Sequence, residues 1–252
     1  LVEGDKAVGL LVRNEVKHYA DVILSASDWH FTVFDLLEGK YVNKQMLELR
    51  DLKKLEVFYS VVHLGFGINA DLKDQPHFSR YPLKEDLILP DGTKYDRLEV
   101  HVYNYDKTMA PPGKSTVVVS FYTKNGDWWL DLRKNNRPEY RKVKKEFTEK
   151  IIELLNERLG GIKDKLEMSD MATPATVFRY TNNWKGSTQG WLPGKNLLAP
   201  SPVGFLLPSL KNFYFSSHWN QPGGGLPIAI KTGRDVTKAI CKAAGKKFTT
   251  TR

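Results

Sequence analysis

Tyr140, Val143, Phe147, Ile151, Leu154, Leu155 and Leu159 recur at steps of three and four, a spacing that an α-helix brings onto one face. Pro138 near the start and Gly160-Gly161 at the end supply the start and stop chemistry of such a helix. Its other face, with Lys142, Lys144, Lys145, Glu146 and Glu149, reads as ordinary solvated surface. The chain before it is rich in β-formers. Residues 54–68, 97–105 and 115–123 alternate or run apolar with Val, Tyr and Phe, as sheet strands do. The connections Pro90-Asp91-Gly92 and Ala110-Pro111-Pro112-Gly113 are turn chemistry. A mixed α/β (α+β) architecture follows.

Both ends are read differently. Ala7 to Val12 is strand-like, and Asp21-Val22-Ile23-Leu24 is a short apolar run ending in Ser25-Ala26-Ser27-Asp28. Such a run predicts a buried central strand of an α/β sheet. Helical spacing follows at Phe31, Phe34, Leu36 and Leu37, with Asp28 as the N-cap. Residues 171–210 are predicted to be loop-rich, with five prolines and the aromatics Phe178, Tyr180, Trp184, Trp191 and Phe205. A last strand, Asn212 to Ser216, leads through Gln221-Pro222-Gly223-Gly224-Gly225-Leu226-Pro227 into a terminal helix.

Composition narrows the function classes. With 41% hydrophobic residues in 252, the chain has enough apolar material for a packed core, which excludes whole-chain disorder. No window approaches the ~20 apolar residues of a membrane span. A single cysteine, Cys241, excludes an internal disulfide framework and a multi-cysteine zinc site, and favours a reducing, cytoplasmic setting. The net charge of +9 is concentrated at the end: Lys231 to Arg252 holds seven cations against Asp235 alone. With no RNA-recognition, KH, zinc-finger or helix-turn-helix motif, this reads as a solvated tail, then as an attraction to anionic membrane, and not as a nucleic-acid groove. Leu1-Val2-Glu3-Gly4 is neither an initiator methionine nor a signal peptide, so a processed or truncated start is expected.

Several motifs fail on context. Pro112-Gly113-Lys114-Ser115-Thr116 lacks the required earlier glycine, since position 108 is Thr, and it enters a strand rather than a helix. Gly65-Phe66-Gly67-Ile68-Asn69-Ala70 spells a dinucleotide fingerprint, but proline and charge follow it instead of an amphipathic helix, so it reads as a strand end. Gly186-Ser187 does not fit a nucleophile elbow, and the six histidines show no metal spacing.

One constellation survives: strand, then Trp219 to Pro227, then helix. Three glycines let backbone approach a ligand, Pro227 suits a first helical turn, and a helix N-terminus offers amides to an electron-rich group. Ala229 and Gly233, four apart, would let the helix pack closely on a neighbour. Spacing alone leaves a ligand loop and a tight strand-to-helix turn equally open.

Gln221 to Pro227, continuing to Thr232-Gly233-Arg234, resembles the C-terminal signature of the phytoene dehydrogenase family of flavoproteins, the carotenoid desaturases and retinol saturases. Ala20 to Asp28 resembles a flavin-domain strand of that family. Tyr103-Asn104-Tyr105-Asp106 with Ala110 to Lys114, and Ala172-Thr173-Pro174 through Asn182 with Gly186 to Trp191, resemble further segments in the family's order. The family's N-terminal G-x-G-x-x-G strand and helix have no counterpart, so the chain resembles the C-terminal half of such an enzyme.

The resemblance implies a two-domain FAD-dependent oxidoreductase. Residues 1–30 and 211–252 would be pieces of a Rossmann-like flavin domain, and 31–210 a mixed-sheet substrate domain. It implies FAD held by Ser25, Ala26 and Ser27 near its ADP part, with Gly223, Gly224, Gly225, Leu226 and Pro227 at the ring and Trp219 beside it. Phe178, Tyr180, Trp191 and Phe205 would line a tunnel for a carotenoid or retinoid whose carbon–carbon bonds are desaturated or saturated. The partners implied are that apolar polyisoprenoid, a missing N-terminal flavin-binding half, and peripheral membrane touched by loop apolars between Leu192 and Leu210 and the basic tail. The isolated chain is expected to be inactive and prone to associate. Two other readings remain: a non-catalytic isoprenoid- or lipid-binding module without flavin, and a flavin amine oxidase.

Overall fold

The structure, a computed structural model, describes residues 1–194 and 203–250. In chain order the strands are β1 (Val2–Glu3), β2 (Lys6–Ala7), β3 (Gly9–Leu11), β4 (Lys17–Tyr19), β5 (Ile23–Ser25) and β6 (Ser60–Ile68). They continue with β7 (Phe78–Ile88), β8 (Lys94–Val102), β9 (Ser115–Thr123), β10 (Leu166–Ala172), β11 (Leu206–Leu207) and β12 (Leu210–Phe215). The α-helices are α1 (Lys44–Arg50), α2 (Gly126–Asn135), α3 (Arg137–Leu159), α4 (Pro174–Thr181) and α5 (Gly225–Ala243). The mixed α/β class expected from the sequence is what the chain adopts.

Two compact units share the chain. One is Tyr59–Arg179; the other combines Leu1–Phe58 with Tyr180–Arg252. These divisions lie at different places from the 30 and 210 expected for flavin and substrate domains.

The 59–179 unit is an antiparallel sheet of order β10-β6-β9-β8-β7. Strict alternation sends Val62, Leu64, Phe66 and Ile68 to one face, joined there by Leu98, Val100, Val117, Val119 and Phe121. The apolar stripe of α3, Phe147, Ile151, Leu155 and Leu159, shares that core, with Phe121 and Phe147 edge-to-face at 5.8 Å. Each fully buried side chain of this size contributes roughly 1.5–3 kcal/mol. Asn136 caps α3 by accepting from Glu139 N (3.2 Å), and Gly160 ends it in the left-handed region (φ 76°).

Local turns lock the sheet. Asp91, in the β7–β8 turn, accepts the indole N–H of the fully buried Trp129 at 2.7 Å, which fixes α2. The fingerprint-like Gly65 to Ile68 lies inside β6, as the strand reading expected. Lys114 of the rejected phosphate motif is paired with Glu167 at 2.6 Å. Asn104 donates to the carbonyls of Leu72 (3.1 Å) and Gln75 (2.6 Å), so that part of the mid-chain segment closes a loop.

In the other unit, β12 pairs in parallel with β5 and β2 and antiparallel with β11, giving a mixed sheet. β3 and β4 form a separate hairpin. Its core gathers Ile23, Trp29, Val33, Leu49, Trp191, Leu210, Phe213, Phe215 and Trp219. Three expectations need correction. The 21–24 run is not buried on both faces: Ile23 is buried but Val22 and Leu24, on the alternate face, are exposed, so among the described residues nothing fully covers that face. The 171–210 stretch contains helix α4, with Pro174 serving as a helix-initiating residue. The Ala229–Gly233 face makes no close packing, since a Cβ on Gly233 would meet nothing within 4 Å; α5 is seated instead by Thr232 and Val236.

Candidate functional site

The candidate site lies in the 1–58/180–252 unit, where the C-terminal ends of the parallel strands β5 and β12 meet the segment leading to α5. Ser217 and Asn220 shape the first turn after β12. Asn220 Oδ1 accepts from Ser217 N (2.7 Å) while Ser217 Oγ accepts from Trp219 N (3.1 Å). This reciprocal cap turns Trp219 inward, where it is fully buried against Trp191 at 5.1 Å between ring centroids. Trp191 Nε1 donates to Trp219 O at 2.9 Å, and Gly223 N donates to Trp191 O at 3.0 Å. The glycine segment is thereby tied to the tryptophan core.

Gly224 explains why glycine is needed here. It has φ 49°, and a Cβ on it would lie 1.5 Å from Gln189 O. Close backbone packing within the protein therefore uses this glycine. Gly223 and Gly225 also have positive φ, but added Cβ atoms would meet nothing nearer than 3.8 Å. At the start of α5 no side chain caps the helix among the described residues, and Leu226 is 78% exposed. The first-turn amides of α5, at the positive end of its dipole, therefore have no side-chain cap.

The end of β5 lies beside the same strand, with Ser216 N donating to Ser25 O at 2.9 Å. Ser25 is buried, its hydroxyl 2.8 Å from that of Thr32, while Ala26 and Ser27 are exposed. Next comes Asp28, buried, whose carboxylate accepts from Phe31 N (2.7 Å) and Trp184 N (2.9 Å). Desolvation pushes its pKa up to about 6, against the lowering effect of those amides. The expected capping role is met, but the buried acid was not legible as such. His30, stacked on Trp184 at 4.6 Å, has its pKa lowered by burial, partly offset by Asp35.

The proposed tunnel aromatics occupy different settings. Trp191 is in the core against Trp219 and Trp29; Phe178 and Tyr180 are exposed on α4; Phe205 is half-buried beside β12, its carbonyl accepting from Phe215 N. Residues 195–202 of the expected membrane loop, and Arg252 of the tail, lie outside the described residues. Among the described residues no cluster of His, Cys, Asp and Glu is arranged to hold a metal, and no helix is long and apolar enough to cross a membrane.

Over 82 residues, 31% of the chain, the sequence is 38% identical to all-trans-retinol 13,14-reductase of Danio rerio, and the match spans 14% of that protein. It is a partial likeness. No protein-family model matches the chain. Among solved structures, an oxidoreductase from Methanosarcina mazei is 16% identical with a TM-score of 0.48, covering 95% of this chain and 47% of that one. A RAB GDI from Plasmodium falciparum is 10% identical with a TM-score of 0.33, covering 97% and 39%. The chain thus spans under half the length of each of these three proteins.

Proposed function

We propose that this chain is the substrate-binding and partial flavin-binding portion of a flavin-dependent oxidoreductase of the phytoene dehydrogenase and retinol saturase kind. It acts, as part of a longer protein, on carbon–carbon bonds of a long apolar polyisoprenoid. The observation that carries the reading is the uncapped start of α5, set by the glycine segment directly after a strand that is parallel to β5. The partial identity to a retinol reductase supports the same class.

The residues present fit part of an FAD site. FAD, when bound, supplies the hydride chemistry between flavin and carbon. The chain's own groups would hold and orient it: the amides of Gly225 and Leu226 offer donors and a positive dipole end to negative charge on a reduced ring. Ser27 and Ala26, exposed at the end of β5, offer a polar, sterically open edge to the ADP part. Trp219 would act from behind the glycine segment, since it is fully buried and its indole N–H is directed to Asn183 at 3.4 Å. The exposed apolars Leu24, Leu226 and Ile230 would be covered by the remaining flavin-binding half, and the isolated chain would be inactive.

The test is to sequence the coding DNA upstream of Leu1 and express the longest in-frame protein beside this chain. The expected result is FAD retained through gel filtration, with turnover of all-trans-retinol or a carotenoid, only in the longer protein. A longer protein that binds retinoid but no FAD would refute this reading and leave a non-catalytic isoprenoid-binding module.

A further inference from the structure

A cavity of about 300 Å³ opens in the 59–179 unit where α2, α3 and α4 converge. Five of its lining side chains are cationic: Arg133 from the last turn of α2, Arg137, Arg141 and Lys144 from the first turns of α3, and Arg179 from α4. No carboxylate lines it. The sequence pattern puts Lys144 on a solvated face; in the structure it is half-buried, its ammonium 5.7 Å from the Tyr140 ring centroid. Tyr140 forms a fixed wall, buried, with its hydroxyl 2.8 Å from that of Thr173, and Thr176 adds a hydroxyl at the rim.

Stability does not account for this arrangement. Arg137, Arg141 and Lys144 are spaced by four and three, so they are like-charged neighbours on one helix face, a destabilising pattern. Arg137 also sits in the first turn of α3, at the positive end of its dipole, where anions belong. The acid of that first turn, Glu139, is 3.8 Å from Lys142, outside the cavity. Among the described residues, Arg133, Arg137, Arg141 and Lys144 have no carboxylate within 4.0 Å. A dianion in the cavity would reverse every one of these costs. Planar guanidinium groups give it paired N–H donors, and the volume is at the lower end of the roughly 300–1,000 Å³ of small-molecule sites.

We propose that this cavity is a phosphate-binding site, taking a diphosphate or phosphomonoester group, free or as a lipid headgroup. It is independent of the flavin reading, because every residue in it belongs to the 59–179 unit. The probes are inorganic pyrophosphate, followed by calorimetry, and vesicles of phosphatidylcholine with or without phosphatidic acid, followed by flotation. Two double variants of α3 remove equal charge: R137Q/R141Q inside the cavity and K142Q/K145Q outside it. Circular dichroism confirms that both fold.

Wild type and K142Q/K145Q should bind one ligand saturably, while R137Q/R141Q should bind about tenfold or more weakly. Pyrophosphate binding without a phosphatidic acid-dependent gain in flotation identifies a free phosphate compound. A gain that depends on Arg137 and Arg141 identifies a headgroup. Absence of both, or equal weakening by the two double variants, overturns the proposal.

Discussion

The Cα of Gly224 faces the carbonyl of Gln189 so closely that a methyl group there would stand 1.5 Å from the oxygen. Ala cannot be accommodated without moving one of the two backbones. Gly224→Ala should therefore destabilise the protein by about 3 kcal/mol or more, combining a clash with a strained positive φ. Nine residues later the opposite is expected. Gly233 lies in the interior of α5 with open space around it, so Gly233→Ala should stabilise by about 0.5–1 kcal/mol. Urea unfolding midpoints measure both, and equal effects at the two positions would contradict the geometry.

Asp28 makes stability depend on pH in an unusual direction. Its pKa is raised from 3.8 to about 6 by burial, so the native state binds the proton more tightly than the unfolded chain does. Stability from this group is fully present below pH 4 and is lost as pH rises through about 6, on the order of 3 kcal/mol in all. The exposed acids Asp5 and Asp106 have lowered pKa values and act in the opposite sense. The informative quantity is therefore wild type minus Asp28→Asn, followed by urea unfolding from pH 4 to 7. That difference should fall as pH rises; a flat difference would remove Asp28 as its source.

Much of the fold is legible from pattern, and what escapes does so for physical reasons. The interior strand β9 matches the predicted 115–123, and α3 matches its apolar period and its Pro and Gly boundaries. The sheet edges are hidden. In β7, Pro82, Lys84, Glu85 and Asp86 break the alternation, which an edge strand tolerates because one side needs no partner and neighbouring chains are discouraged. In β10, mostly exposed, Glu167, Ser169 and Asp170 erase the apolar signal. The glycine segment announced itself, but its contact with Gln189 is tertiary and cannot be read locally. The basic cavity draws its five cations from three helices, so each looked like surface alone.

Asp91 carries a prediction about the same unit. Its carboxylate accepts from Trp129 Nε1 (2.7 Å) and from Thr93 N (2.9 Å), linking the β7–β8 turn to α2. Asp91→Ala would leave the indole N–H of a fully buried ring without this partner, a cost of about 1–3 kcal/mol. In a cycle with Trp129→Phe, which removes the N–H, the second substitution should cost less in the Asp91→Ala background than in wild type. Strict additivity would show that the bond carries no coupling.

Arg137 and Arg158, at opposite ends of α3, separate a role in binding from a role in stability. Arg137 is in the first turn, where the dipole opposes a cation, and Arg158 is in the last, where the dipole favours one. Without phosphate, Arg137→Glu should therefore stabilise the protein by about 0.3–1 kcal/mol, and Arg158→Glu should destabilise it by at least as much. With pyrophosphate present the order changes at the first position only: wild type gains thermal stability by mass action and Arg137→Glu does not. A residue retained for folding would lower stability when reversed. Arg137→Glu that destabilises the unliganded protein would mean that α3 needs its cation there, and the case for a phosphate site would lose its main physical argument.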